Sequence, residues 1–214
     1  MNQIRKQLPN YSRSSEVWKH LSSLVGKQIQ SIKTGIWFES LDCLKQKRNL
    51  SDSVNNIGAI AHGGPIIISF GERQTYVFQS DDFTSSLAIR IVPFDIDSPE
   101  FLANLYIEDH YFPDYLRIKT IVDLTDEYRQ FIGQRIQAVK ILKLPDNYFF
   151  SSTKGVKVNE MAVVFTFETG DDLIVAFRMG TQHSNGHCLL TWDLVDPEFP
   201  KSDLQCIHEH SDDK

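Results

Sequence analysis

A chain of 214 residues, 41% hydrophobic and 23% charged, has globular composition, enough for one large core or two small ones, and its 14 Phe argue against disorder. The net charge of −6 excludes a chain-wide nucleic-acid footprint. No apolar run approaches the roughly 20 residues that span a bilayer, so no membrane partner is expected.

The charge is uneven. Residues 1–107 carry 11 Lys and Arg against 10 Asp and Glu, whereas residues 108–214 carry 11 against 18. The N-terminus, MNQIRKQLPNYSRSSEVW, has no apolar core of a signal peptide. Cys43, Cys188 and Cys206 are scattered and form no CxxC pair. Reduced thiols and a cytoplasmic setting are the expectation.

In chain order, the first expected element is a helix carrying Val17, Leu21, Leu24 and Val25 on one stripe, with Ser14 or Ser15 as its cap. Gly26 ends it, because glycine suits the left-handed residue past a helix end. A strand follows over Gln28–Lys33. The polar stretch LDCLKQKRNLSDSVNNIG reads as a loop. The runs IIISF (Ile66–Phe70) and TYVFQ (Thr75–Gln79) flank the turn GERQ and read as a hairpin, and LAIRIV (Leu87–Val92) closes the set.

The same order then recurs. LVGKQIQSIK (Leu24–Lys33) matches FIGQRIQAVK (Phe131–Lys140) at an offset of 107 residues. Leu124, Tyr128, Phe131 and Ile132 repeat the helical stripe, Asp123 or Thr125 is its candidate cap, and Gly133 is its terminal glycine. Arg135–Leu142, VVFTF (Val163–Phe167), LIVAF (Leu173–Phe177) and HCLLTWDLV (His187–Val195) repeat the strands. The offset falls to 97 because the first copy has ten more residues before its second strand. Between the copies, Ser98 and Pro99 open an expected linker helix with Phe101, Leu102, Leu105 and Tyr106 inward.

The fold class expected is therefore α+β: two helix-plus-antiparallel-sheet units (αββββ) in tandem, pseudo-two-fold. The first repeat is placed at 1–95, the linker helix and an extended segment at 96–122, the second repeat at 123–200, and a polar, fraying tail at 201–214.

Residues with chemistry are few. HGGP (His62–Pro65) resembles the oxyanion loop of lipases and esterases, but the partner G-x-S-x-G is absent from the chain. HSNGHC (His183–Cys188) has two His at i and i+4, with turn residues between them. CIHEH (Cys206–His210) could take up a transition metal adventitiously. The acidic pairs Asp81–Asp82 and Asp171–Asp172 fall at hairpin ends, where turn geometry alone favours Asp. The basic stretch DCLKQKRN around Cys43 has no assignable His to activate a thiolate. There is no Walker A loop, no G-x-G-x-x-G and no zinc-finger spacing. No catalytic, cofactor or metal residue is assigned.

The pattern of a helix, G-x-x-I-x-x-I/V opening a strand, and F-x-x-G-x-x-L/Y-x-x before the next resembles small bacterial α+β domains, some of them similar to immunity proteins of polymorphic toxin systems. The resemblance implies a cytoplasmic protein that binds and neutralises a toxin. It transfers no functional residue. The residues themselves point to a non-catalytic protein whose acidic second half meets a basic partner, through Asp171, Asp172, Asp193, Asp196 and Glu198. Trp37 and His62 are further recognition candidates.

One alternative is a small-molecule or regulatory domain with its ligand between the repeats, lined by Trp37 and His62. A hydrolase is a third. A duplicated unit satisfies internally the contact a homodimer would make, which favours a monomer over a homodimer.

Overall fold

The computed structural model describes residues 11–36, 65–71, 74–81, 86–92, 120–145, 159–178, 187–191 and 204–212. These residues are mostly β, with one short helix. The strands are β1 (Ser12–Arg13), β2 (Ile29–Ile36), β3 (Ile66–Phe70), β4 (Thr75–Asp81), β5 (Ser86–Val92), β6 (Thr120–Asp123), β7 (Ile136–Lys143), β8 (Glu160–Phe167), β9 (Asp172–Arg178), β10 (His187–Thr191) and β11 (Gln205–Ser211). The helix α1 is Trp18–Ser22.

Two antiparallel sheets result. Sheet 1 has the order β1-β5-β4-β3-β2-β6, and sheet 2 the order β10-β9-β8-β7-β11. Within each, four consecutive strands form a meander, β2 to β5 and β7 to β10. Short turns join β3 to β4 and β8 to β9, whereas 29 residues separate β2 from β3 and 16 separate β7 from β8. The sheets touch through β3, β4 and β5 on one side and β8, β9 and β10 on the other.

The core lies between them. Side chains alternate along a strand, and Ile66, Ile68 and Phe70 of β3 face the same buried cluster as Val163, Phe165 and Phe167 of β8. The ring of Phe165 lies 5.3 Å from that of Phe70 and 6.3 Å from that of Phe78. Ile67 and Val77 point to the opposite face of sheet 1 and are buried as well.

This architecture corrects the α+β expectation of helix-plus-sheet units in tandem. The helical stripes were read correctly as buried positions: Leu21, Leu24, Leu124, Tyr128 and Phe131 are all within 1% of full burial. They are not two helices. Among the described residues only α1 is helical, and residues 125–131 are a series of turns. Segments this short fall below the length at which helix propensity sustains itself, so packing on the sheets dictates the backbone. The cap of α1 is Val17 with no side-chain hydrogen bond, not Ser14 or Ser15. The carbonyl of His20 instead accepts from the Tyr76 hydroxyl at 3.3 Å. The linker helix falls on residues outside the described ones up to 119, and 120–123 is strand β6. The expected fraying tail is also corrected: Gln205–Ser211 is β11, hydrogen-bonded along β7.

The two meanders agree in register position by position. Ile29 pairs with Phe70 and Ser31 with Ser69, with a bulge between, while Ile136 pairs with Phe167 and Ala138 with Thr166, again with a bulge between. Ile66 opposite Phe78 in sheet 1 corresponds to Val163 opposite Val175 in sheet 2.

The junction between halves is reciprocal. The Gly26 amide donates to the Ile136 carbonyl at 2.8 Å, and the Gly133 amide donates to the Ile29 carbonyl at 2.8 Å. Gln28 and Arg135, equivalent residues, bridge to each other. Both glycines sit at positive φ, +83° and +75°, which carries their N–H toward the other half. The phrase shared by Leu24–Lys33 and Phe131–Lys140 is thus a crossing point between the sheets.

Burial also sets an alkaline limit. Desolvation pushes the Tyr76 phenol up to about 12. Burial first, and then the Glu127 carboxylate, hold Tyr128 well above the usual phenol range. The unfolded chain ionises these groups near pH 10, so their contribution is fully present below that pH and declines above it. Each phenol is expected to lower stability by up to about 1.4 kcal/mol per pH unit between pH 10 and 12. Urea midpoints measured at pH 9 and 11 test this. The Y76F/Y128F chain should lose much less over that interval than the unsubstituted one, and equal losses would refute the assignment.

Candidate functional site

The strands place a group of carboxylates at one end of sheet 2. The β8–β9 hairpin closes where the Phe167 amide donates to the Asp171 carbonyl at 2.9 Å, leaving Glu168, Thr169 and Gly170 at its tip. Glu168 and Asp171 are exposed. The Asp172 carboxylate accepts from the Thr166 hydroxyl at 2.6 Å, which fixes it against the hairpin.

Main-chain bonds bring two more charged residues to the same end. The Glu168 amide donates to the Arg135 carbonyl at 3.2 Å, and the Asp212 amide donates to the Gln137 carbonyl at 2.9 Å. Both acceptors lie at the start of β7, so Asp212 flanks this strand on one side and Glu168 on the other. Arg135 and Asp212 are exposed.

Among the described residues, the corresponding end of sheet 1 carries different side chains. The Gly71 amide makes the matching bond to Gln28, and the Phe70 amide closes its hairpin on Gln74. Gly71, Gln74 and Thr75 thus stand where sheet 2 has Glu168, Asp171 and Asp172. Thr75 faces Ser69, with their hydroxyls 3.2 Å apart, where Asp172 faces Thr166. Lys27 adds a positive charge there and donates from Nζ to Gln74 Oε1 at 2.6 Å. Positions matched by register thus differ in side-chain charge.

Of the residues singled out from sequence, Asp171 and Asp172 belong to this end. Asp193, Asp196, Glu198, Trp37 and His62 lie outside the described residues, as do Cys43, Asp82 and His183. Asp81 ends β4, and His187 and Cys188 begin β10. The 206–210 cluster is divided by a bulge between Cys206 and His208. Cys206 is placed opposite Leu142, while His208 and His210 are opposite Ile141 and Val139. Among the described residues, no three His, Cys, Asp or Glu side chains gather as a metal site. Also among them, no helix is long and apolar enough to cross a membrane.

Asp212 was not legible as a neighbour of this turn, since only strand register brings it to the same end of sheet 2. Glu160 was missed altogether. Its side chain is buried at the start of β8 and accepts from both the amide (2.9 Å) and the hydroxyl (2.5 Å) of Ser15. Its own amide donates to Ser86 Oγ at 3.1 Å. Glu160 therefore ties the N-terminal segment and β5 to sheet 2. Its neighbour Asn159 is buried at φ +60° and donates from Nδ2 to the Pro145 carbonyl at 3.2 Å. These bonds compensate buried polar groups, and their role is structural. In comparisons with protein-family models, curated proteins and solved structures, nothing matches this chain.

Proposed function

We propose that this chain is a non-catalytic, cytoplasmic binding protein, built by internal duplication, whose acidic end of sheet 2 receives a basic protein partner. The observation that carries the reading is the contrast between equivalent positions. Glu168, Asp171 and Asp172 stand where the other sheet has Gly71, Gln74 and Thr75, while the registers around them agree. Fold requirements are common to both sheets, so they do not account for acids at these three positions of one sheet alone. The matched registers and bulges support descent of the two meanders from one unit. Exposed carboxylates in a group steer a basic partner and raise its association rate, with an effect that weakens as salt screens it. An immunity-type role, with a basic toxin as partner, is the version that the sequence resemblance supports.

The test is affinity capture on immobilised protein, comparing the unsubstituted chain with E168K/D171K. Both positions are exposed turn residues, so the fold should tolerate the change within about 0.5 kcal/mol. The reading expects a basic protein that is retained by the unsubstituted chain, elutes with rising salt, and binds E168K/D171K at least about tenfold more weakly. Retention of the same proteins by both chains, with the same salt dependence, would remove the acidic end from consideration.

A further inference from the structure

We propose that β11 is an exchangeable strand, and that the edge of β7 can take up the β11 of a second copy of this chain. This goes beyond the partner reading above and does not depend on it.

Both meanders are completed at the same edge by a strand from outside the meander. In sheet 1, β6 pairs along β2 and sets Asp123 opposite Lys33. In sheet 2, β11 pairs along β7 and sets Glu209 opposite Lys140. Lys33 and Lys140 are equivalent residues, so the edge follows one rule: an antiparallel strand with an acid facing the lysine. The Lys140 Nζ lies 3.0 Å from Glu209 Oε1. A second contact is the His208 ring stacked on Trp18 of α1, with centroids 5.0 Å apart and planes 19° from parallel.

The side chains of β11 are little covered, although Leu204, just before it, packs against the core. Gln205, Cys206, Ile207, Glu209 and His210 are exposed, and Ile207 is the exposed large hydrophobic of the described residues. No residue of β11 is buried, in contrast to β8, where every residue but Thr166 is. A strand with no buried side chain, held by its edge ladder with the exposed Lys140–Glu209 pair and the Trp18–His208 stack among its contacts, can leave while the core stays closed.

Topology also permits a handover. β10 and β11 lie at opposite ends of sheet 2, with 13 residues between Thr191 and Gln205. Four strand spacings are about 19 Å, whereas 13 residues reach about 43 Å when extended. Sufficient length therefore remains to place β11 on a neighbouring molecule. A second copy offers the same ladder, the same acid for Lys140 and the same ring for Trp18, so exchange loses no contact.

Charge reversal across the pair tests this in the full chain. K140E and E209K each set like charges opposite one another within one molecule. In a reciprocally exchanged pair of the two chains, both sites hold opposite charges. The pair is exposed, at 36% and 52%, so both variants are expected to fold. A link reports the geometry: L142C/C206S is added to the K140E chain, because Leu142 is opposite Cys206 in the ladder. The chains are mixed, equilibrated, and measured by size exclusion with light scattering.

The proposal expects a 1:1 dimer in the mixture, at least about tenfold more abundant than in either chain alone. It also expects a disulfide between the introduced thiol and Cys206 of the E209K chain. A mixture that stays monomeric, or a dimer without that link, would overturn it.

Discussion

Replacing Phe165 by alanine is expected to destabilise the protein by about 3–5 kcal/mol. Phe165 is fully buried near the middle of β8 and meets Phe70 and Phe78 from the opposite sheet. The substitution removes the ring's transfer free energy and leaves a cavity, because two hydrogen-bonded sheets cannot close onto the gap. Urea titration of F165A supplies the number. F70A should give a similar loss, and the double variant should lose less than the sum, since the two rings share a contact. A loss below about 1 kcal/mol for F165A would mean that the sheets do not meet at this residue.

The second large effect is expected at the glycine pair. G26A and G133A should each cost about 1–2 kcal/mol, and the double variant about 2–4 kcal/mol. A methyl group at either position meets no atom within 4 Å, so the cost is that of the left-handed backbone alone. The two costs should agree, because φ is +83° at one and +75° at the other, and each amide makes the same 2.8 Å bond to the opposite half. Thermal or urea unfolding measures both. A penalty at one glycine and none at the other would show that the junction is not reciprocal.

The strands were largely legible in the sequence because their signals are local. Ile66–Phe70 and Val163–Phe167 are apolar runs ended by turn residues, and both form hairpins. The stripe Leu124, Tyr128, Phe131 correctly marked burial, yet it misled on conformation. Spacing of i, i+4 and i+7 is also met by successive turns lying on a sheet, and only the surrounding structure chooses between them. β11 was invisible because its residues are polar. An edge strand whose side chains face solvent needs no apolar alternation, and its ladder partner is some 65 residues away.

The same limit applies to the candidate site. Asp171 and Asp172 declared themselves through turn chemistry. Glu168 stands in the same turn, while Asp212 reaches this end through the Gln137 carbonyl, a contact that no spacing in the chain announces. The contrast with Gly71, Gln74 and Thr75 emerges only once the registers of the two sheets are matched.

The account stands on two equivalent meanders locked to one another through Gly26 and Gly133. Native-state amide hydrogen exchange tests that most directly, read at these two glycines and at Ile68 and Phe165 in the sheet centres. The account predicts slow exchange at both glycine amides, with equal opening free energies close to those of Ile68 and Phe165. Fast exchange at Gly26 and Gly133, at rates of an open turn while the sheet centres remain protected, would contradict it.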